Sequence, residues 1–288
     1  MTMLIARERS RSVFRKLERD ILKLAEGQKP DRVHAFRTGT RRLQTLLGEL
    51  VPERDRNQKK LLKMLARIRK RAGKVRDLDV QLATLRTLKM PQEPRRKTQL
   101  VNVLIELRAE HEQKLHKSLS KETVRELRKR LRKASKGLSL EAGRDPLAVA
   151  TEMMAGIKHA DRPLTEDVLH QYRILSKRAR YAAEFAEKSL EADQFLAQLK
   201  RVQDALGDWH DWLTLTHTAA RRLGDVHESS LVAALHNVTG AKFRHAVAAL
   251  SALPPAQVPP KVAAPQRSSA RGVAAKAAAP AARLTSAA

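Results

Sequence analysis

The chain contains 288 residues, and 42% of them are hydrophobic, so it is long enough and apolar enough to bury a core. Its 58 Lys and Arg against 31 Asp and Glu give a formal net charge of +27, which indicates a polyanionic partner: a nucleic acid, an acidic membrane surface or a phosphate polymer. The absence of cysteine excludes disulfides, thiolate metal sites and a cysteine nucleophile.

Apolar residues recur at helical spacing along almost the whole chain, and the alternation typical of strands is absent. Six of the 12 prolines fall between these periodic segments, where they interrupt no helix. The sequence therefore predicts an all-α body. The predicted helices cover residues 3–26, 31–50, 55–72, 76–89, 95–118, 121–136, 146–159, 165–190, 192–206, 209–223 and 228–251.

The N-terminal segment brings in charged side chains at Arg7 and Glu8, before any signal-like apolar run could form. No later run approaches the roughly 20 apolar residues that span a bilayer. We therefore expect a cytoplasmic protein. No helix outside the bundles opposes a large, bulky apolar face to its charges, so we also expect no attachment to a membrane surface.

The C-terminal segment has a different composition. Residues 254–288 hold the other six prolines, much alanine, five basic residues and no acid. Such a segment cannot build a core. The sequence predicts a helical domain over 1–253 and a disordered cationic tail over 254–288.

Two parts of the chain resemble each other. VHAFRTGTRRL, from Val33, matches LHQYRILSKRA, from Leu169, with a histidine, an aromatic residue, an arginine and a basic pair in the same places. LARIRKRAGKVRDLDV and LKRVQDALGDWHDWLT also match, with Gly73 opposite Gly207 and an aspartate four residues after each. An internal duplication explains these matches and predicts two helical bundles about a pseudo-twofold axis. The repeats cover about 3–136 and 146–251.

Each copy of the first motif places a cationic column beside an apolar stripe, within about 60° around the helix. Like charges at i, i+4 repel by a few tenths of a kcal/mol, so the columns do not stabilise their helices. We expect an anion against them, although a solvated basic face is the alternative. The columns are His34, Arg37 and Arg41, and His170, Arg173 and Lys177.

A further basic row follows the first motif. Lys63, Arg67, Lys70 and Lys74 lie on one helical face over about 16 Å. This basic density predicts that the N-terminal repeat is the stronger anion-binding half. Arg, Lys and His donors suit a chain of phosphates. Aromatic residues make up only 3% of the chain, which argues against base-stacking platforms.

The stretches HAFRTGTRRL, KVRDLDV, HQYRILSKRARYAAEF and ALGDWHD together resemble the CHAD family, the conserved histidine α-helical domain, over about residues 1–251. The resemblance implies two pseudosymmetric four-helix bundles. It also implies a basic groove or pore that binds inorganic polyphosphate without a cofactor, and association with bacterial polyphosphate granules. Because the chain lacks the ExExK run of the triphosphate-tunnel domains attached to some family members, we expect a stand-alone, non-enzymatic module.

The candidate polyphosphate-binding residues come from the resemblance and from the basic rows. The resemblance extends the role to His34, Arg37, Arg41, Arg42, His170, Arg173, Lys177, Arg178 and Arg180. The basic row adds Lys63, Arg67, Lys70 and Lys74, and the aligned positions Arg76 and His210 complete the set. The second copy is acidic where the first is basic, so we expect a weaker grip there.

An enzymatic alternative rests on the dipeptide His210-Asp211. HD phosphohydrolases use such a dipeptide, together with further His and Asp ligands, to hold metal ions. In this chain His170 and Asp225 could supply the further ligands. The aligned position in the first repeat is Arg76, which cannot ligate a metal. We therefore expect no metal site. Asp77 and Asp211 are expected to cap helices or to pair with arginines.

Nucleic-acid binding is the second alternative. The tail spaces its cations among Ala and Pro, and neutralisation of a phosphate backbone needs no base contacts. The tail cations are Lys261, Arg267, Arg271, Lys276 and Arg283. The sequence leaves the oligomeric state and the preferred polymer length open.

Overall fold

The computed structural model describes residues 7–51, 53–89, 94–138, 144–155, 164–224, 226–227 and 229–252. Every regular element in these residues is a helix, which confirms the predicted all-α fold. The helices are α1 (Arg7–Glu26), α2 (Pro30–Thr45, continued by a short π-helix at Leu46–Leu50), α3 (Arg56–Thr87), α4 (Pro94–His116), α5 (Lys121–Lys136), α6 (Pro146–Ala155), α7 (Glu166–Ala183), α8 (Leu190–Leu223) and α9 (Ser230–Ser251).

Two predicted helix breaks are wrong. Helices α3 and α8 run unbroken through Gly73 and Gly207, where the sequence predicts a separate helix on each side. A glycine inside a helix costs about 1 kcal/mol relative to alanine. Buried apolar neighbours offset that cost, since Ala72, Val75 and Trp209 are all completely buried. The helix predicted over 165–190 is shorter than expected and ends at Ala183.

Helix α3 begins at a capping box. The Asp55 side chain accepts a hydrogen bond from the Gln58 backbone N–H at 2.6 Å, and the Gln58 side chain accepts one from the Asp55 backbone N–H at 3.2 Å. At the start of α8, Ser189 accepts a hydrogen bond from the Ala192 backbone N–H at 3.1 Å. These caps satisfy N–H groups that have no partner within the helix.

The helices repeat the same packing order. We call the two repeats the first and the second unit. In the first unit α1 packs on α2, α2 on α3 and α3 on α4. In the second unit α6 packs on α7, α7 on α8 and α8 on α9. Between the units, α2 contacts its equivalent α7, and α3 contacts its equivalent α8. Contact between equivalent helices is what a pseudo-twofold axis produces. Among the described helices, α5 lies outside this scheme and packs on α1 and α3.

The hydrophobic core joins the two units. Its largest cluster places Phe36 and Leu65 of the first unit with Ala179 and Ala183 of the second. A second cluster gathers apolar residues from the C-terminal halves of α3 and α8 with α4 and α9, and a third surrounds Trp209. The repeats therefore share apolar contacts across the α2–α7 and α3–α8 interfaces.

By its internal contacts the whole chain separates into two parts, Met1–Gln257, which contains both repeats, and Val258–Ala288. All described residues lie in the first, and the predicted tail at 254–288 falls outside them. No helix in the described part of the chain is long and apolar enough to cross a membrane.

Candidate functional site

The two cationic columns lie where α2 contacts α7, and their charges act on each other. Burial is the main cause that lowers the pKa values of Arg173 and Lys177, and the charge of Arg41, on the opposite unit, lowers both further. In the other direction, Lys177 and Arg180 contribute to lowering the pKa of His34. The columns that the sequence places on separate repeats therefore share one electrostatic environment.

In the first unit, Arg37 bridges α2 and α3. Its guanidinium lies over Gly73, so closely that a Cβ built on this glycine would overlap Nη1. Its Nη2 lies 3.9 Å from an oxygen of Asp77. Burial lowers the pKa of Arg37, while Asp77 acts in the opposite direction. Gly73 is predicted to break the helix. It instead allows the close approach of Arg37.

In the second unit, Arg173 and Lys177 are half-buried, and desolvation is the largest influence on the pKa of each. Burial lowers the pKa of Lys177 to about 7, Arg173 adds to the shift, and Asp211 opposes it. The Nε of Arg173 is buried and has no hydrogen-bond partner among the described residues. Buried cations with unmet donors are costly unless an anion compensates them.

Three predicted histidines border these cations. The rings of His170 and His210 stack with centroids 5.6 Å apart and an interplanar angle of 24°. Burial lowers the pKa of His170, and the charges of His210 and Arg173 lower it further. Burial likewise lowers the pKa of His34, followed by the charges of Arg76 and Arg37. An oxyanion would reverse these shifts and give each ring a second donor.

Two of the predicted phosphate ligands are paired with carboxylates between the units. Arg42 of α2 donates through Nε to Oε2 of Glu184 at 2.6 Å. Its equivalent, Arg178 of α7, binds Glu49 of the π-helix. Burial lowers the pKa of Arg42, but the hydrogen bond and charge of Glu184 outweigh it and raise the pKa overall. These contacts tie each motif helix to the other unit, so the structure gives both arginines a bridging position.

The basic row on α3 leads away from the α2–α7 contact. Lys70 and Lys74 line a cavity of about 430 Å³ together with Arg37. With Arg67 they also line a cleft of about 530 Å³ that faces His111 and Lys114 of α4 and Lys117 just after it. Lys63 is exposed and lines neither space. The row therefore borders the site at one end only.

Sequence reasoning missed Arg69. It lines the same cavity as Arg37, and its buried Nε has no hydrogen-bond partner in the part of the chain described. Burial lowers the pKa of Arg69, and the charge of Arg41 adds to this. A signal was present, because Arg69, Gly73 and Arg76 lie at i, i+4 and i+7 and share a face of α3.

Arg180 completes the set at its edge. Its guanidinium carbon lies 5.3 Å from the ring centroid of Tyr181, and its Nε is 3.6 Å from an oxygen of Glu184. We call the assembled group the basic cluster. It consists of His34, Arg37, Arg41, Arg69 and Arg76 from the first unit and His170, Arg173, Lys177, Arg180 and His210 from the second.

The residues of the enzymatic alternative do not assemble into a metal site in the described chain. Nδ1 of His210 lies 3.8 Å from an oxygen of Asp211, but no group of three or more His, Asp or Glu side chains in the described ranges could hold a metal ion. Asp225 lies outside these ranges. Asp77 lies against Arg37, and the charge of Asp211 acts on Arg173, so both aspartates accompany arginines.

Comparisons with known proteins concern the family and the fold. The family model described as the CHAD domain matches residues 8–220. The structure is also similar to the crystal structure of the CHAD domain from the plant Ricinus communis, with a TM-score of 0.62 and 20% sequence identity, covering 89% of this chain and 96% of that chain. At this identity, the likeness shows a shared fold. The comparison with curated proteins found no match.

Proposed function

The chain belongs to the CHAD family, a family of polyphosphate- and triphosphate-binding domains, and on that basis we propose that it binds inorganic polyphosphate through the basic cluster without catalysing a reaction. The ligand is a linear chain of phosphates whose oxygens replace the missing counter-charges between α2, α3 and α7. The observation that carries the proposal is that cations from both repeats meet where α2 contacts α7.

The electrostatic state of the cluster also supports the proposal. Burial lowers the pKa values of Arg37, Arg69, Arg173 and Lys177. Such a group of cations is strained by desolvation and mutual repulsion until an anion enters. A polyphosphate offers a negative charge at each repeat, so a single ligand can satisfy cations on both units.

The side chains suit this ligand in chemical terms. Arginine guanidinium groups form paired hydrogen bonds with phosphate oxygens, and lysine adds a compact charge. Binding releases the counterions condensed on the polymer, so affinity should fall steeply as salt rises. Asp77 lies 3.9 Å from Arg37, close enough to help orient it, and the proposal requires no nucleophile or metal.

In the cell, the same chemistry would direct the protein to polyphosphate granules in the cytoplasm. A formal charge of +27 provides many contacts with a dense polyanion beyond the cluster itself. The cationic tail would add contacts that depend little on ligand structure.

A competition assay on the full chain tests the ligand class. Labelled duplex DNA is bound to the protein in physiological salt, and unlabelled long-chain polyphosphate is added at equal phosphate concentration. We expect polyphosphate to displace the DNA, while DNA fails to displace labelled polyphosphate. Displacement in the reverse direction alone would make nucleic acid the principal ligand.

A further inference from the structure

A basic stretch on α5 lies outside the basic cluster and divides between two directions. Arg128 and Arg132 point to α1, where their nitrogens each lie 2.9 Å from the same oxygen of Glu18. Lys129 and Lys133 point elsewhere and line a cavity of about 400 Å³ against α3. The stretch therefore contributes two paired arginines and two lysines with a different environment.

The facing side of this cavity is also cationic. Arg56 and Lys60, at i and i+4 on the first turns of α3, line it opposite Lys129 and Lys133, which are i and i+4 on α5. Like charges at this spacing repel on each helix, and the packing of α3 on α5 brings the two pairs together. Four exposed cations around one concavity have no stabilising effect on these helices by themselves.

The acids near the cavity are already engaged. Glu126, which lines it, accepts an ion-pair contact from Nη2 of Arg130 at 2.5 Å. Asp55, next to Arg56, caps α3 through the Gln58 backbone N–H. The four cations therefore face a space whose nearby carboxylates serve other partners.

Two residues that line the cavity, Asn57 and Arg130, join the helices by a reciprocal contact. The Asn57 side-chain nitrogen donates to the Arg130 carbonyl at 3.1 Å, and Arg130 Nη1 donates to the Asn57 side-chain oxygen at 3.0 Å. The Nε of Arg130 is buried without a hydrogen-bond partner among the described residues. The two helices thus hold the cations at a set separation, as a binding site requires.

This cavity is remote from the basic cluster. Lys60 and Arg69, the members of the two groups that are nearest along α3, lie about 14 Å apart along its axis and on opposite faces of the helix. A short phosphate compound cannot contact both positions. Since α5 lies outside the repeated packing scheme, the cavity belongs to the first unit alone.

We propose that Arg56, Lys60, Lys129 and Lys133 form a second anion site, the α3–α5 site, which binds a compact phosphate-bearing anion independently of the basic cluster. The phosphates can come from a small phosphorylated compound or from a segment of a longer polyphosphate. In both cases four cations from two helices surround the same oxyanions.

Calorimetric titration of the full chain with inorganic tripolyphosphate tests this site. The α3–α5 variant carries Arg56→Gln, Lys60→Gln, Lys129→Gln and Lys133→Gln. A charge-matched control carries Arg86→Gln, Lys89→Gln, Arg95→Gln and Arg96→Gln, which are exposed cations around the α3–α4 connection. A cluster variant carries Arg37→Gln, Arg41→Gln, Arg173→Gln and Lys177→Gln.

We expect two classes of tripolyphosphate site in the wild type and in the charge-matched control. The α3–α5 variant should lose one class, with affinity there reduced at least about tenfold, and the cluster variant should keep that class. Wild-type stoichiometry and affinity in the α3–α5 variant would overturn the inference. Loss of this class alone, with no effect of the cluster variant, would instead overturn the proposed function and leave the α3–α5 site standing.

A variant with fewer substitutions keeps the test decisive if the α3–α5 variant fails to fold. A second ligand identifies the source of the bound phosphates. Lys129→Gln with Lys133→Gln changes only exposed α5 residues and should weaken the same class of site; unchanged binding would count against the site. Titration with long-chain polyphosphate then separates the sources. Weaker long-chain binding by the α3–α5 variant identifies a polyphosphate segment, and unchanged long-chain binding with loss of the tripolyphosphate site identifies a small phosphorylated compound.

Discussion

The guanidinium of Arg37 lies directly over Gly73, in the space that any larger residue at position 73 would occupy. This contact joins the first cationic column to α3 and brings Arg37 near Asp77. At the equivalent Gly207, by contrast, a Cβ would meet nothing within 4 Å. The two aligned glycines therefore differ in what they allow.

This difference gives a matched pair of substitutions. Gly73→Ala should displace Arg37 and weaken polyphosphate binding several-fold, because the new methyl group and Nη1 cannot share the same space. Gly207→Ala should leave affinity unchanged and raise stability by about 0.5–1 kcal/mol, since alanine is the better helix former. Fluorescence anisotropy and urea unfolding measure the two effects. Equal affinities for both variants would show that the Arg37 position does not matter for binding.

Lys177 should make binding depend on pH. Its pKa of about 7 lies below its ordinary value through burial and Arg173, with smaller effects of Arg41 and Arg180 against the opposing charge of Asp211. Bound phosphate should raise this pKa, so the complex takes up a proton, and affinity should fall as pH rises from about 7 toward 9. Lys177→Arg should flatten this dependence because arginine stays charged. Calorimetry in buffers of different ionisation enthalpy measures the proton uptake, and an identical pH profile for the variant would exclude Lys177 as its source.

The same shift affects the stability of the protein without ligand. Because the folded-state pKa is depressed, the unfolded chain binds more protons between about pH 7 and the ordinary lysine pKa. The contribution of Lys177 to stability should therefore rise with pH across this window and be lost as pH falls through about 7. Urea unfolding of the wild type and of Lys177→Met, compared at pH 7 and pH 9, isolates this contribution. A stability difference between the two proteins that does not change with pH would contradict it.

The pairs Arg42–Glu184 and Arg178–Glu49 should support structure more than binding. Arg42→Gln should lower the free energy of unfolding by about 1 kcal/mol, since the pair is partly exposed and solvent screens it. Its effect on polyphosphate affinity should be smaller than that of Arg37→Gln. A double-mutant cycle with Glu184→Gln measures the coupling. A large affinity loss without a stability loss would restore the direct phosphate contact that the family resemblance implies.

Arg69 should contribute to binding although the repeat motif does not include it. Arg69→Gln should reduce polyphosphate affinity several-fold, because its half-buried side chain lines the cavity beside Arg37. Lys63→Gln removes the same charge from an exposed position of the same helix that lines neither neighbouring cavity, and should have little effect. Anisotropy titrations of both variants at one salt concentration compare them directly. Equal losses of affinity in the two variants would show that α3 contributes to binding only through its overall charge.

The helical fold and the duplication could be predicted because they are written in local patterns. Apolar spacing identifies the helices, and the matched glycines and aspartates align the repeats. The breaks predicted at Gly73 and Gly207 are wrong because local propensity is weaker than the packing of residues such as Trp209. Which glycine accommodates an arginine depends on a neighbouring helix that local sequence does not specify.

The candidate site, like the fold, could be predicted only where local sequence patterns determine it. The columns around Arg37 and Arg173 could be identified from helical periodicity and repetition. The pairing of Arg42 with Glu184 could not, because it joins residues 142 positions apart across two helices. Arg69 was missed because the neighbouring lysine row gives a stronger periodic signal than the face that meets α2.

The most direct measurement compares two charge-matched variants of the full chain by anisotropy with labelled polyphosphate at physiological salt. One carries Arg37→Gln, Arg41→Gln, Arg173→Gln and Lys177→Gln; the other carries Lys261→Gln, Arg267→Gln, Arg271→Gln and Lys276→Gln in the tail. We expect the first to lose at least about tenfold more affinity than the second, because half-buried cations from both units form the phosphate site. Equal losses would contradict a structured site and leave net charge as the sole basis of binding.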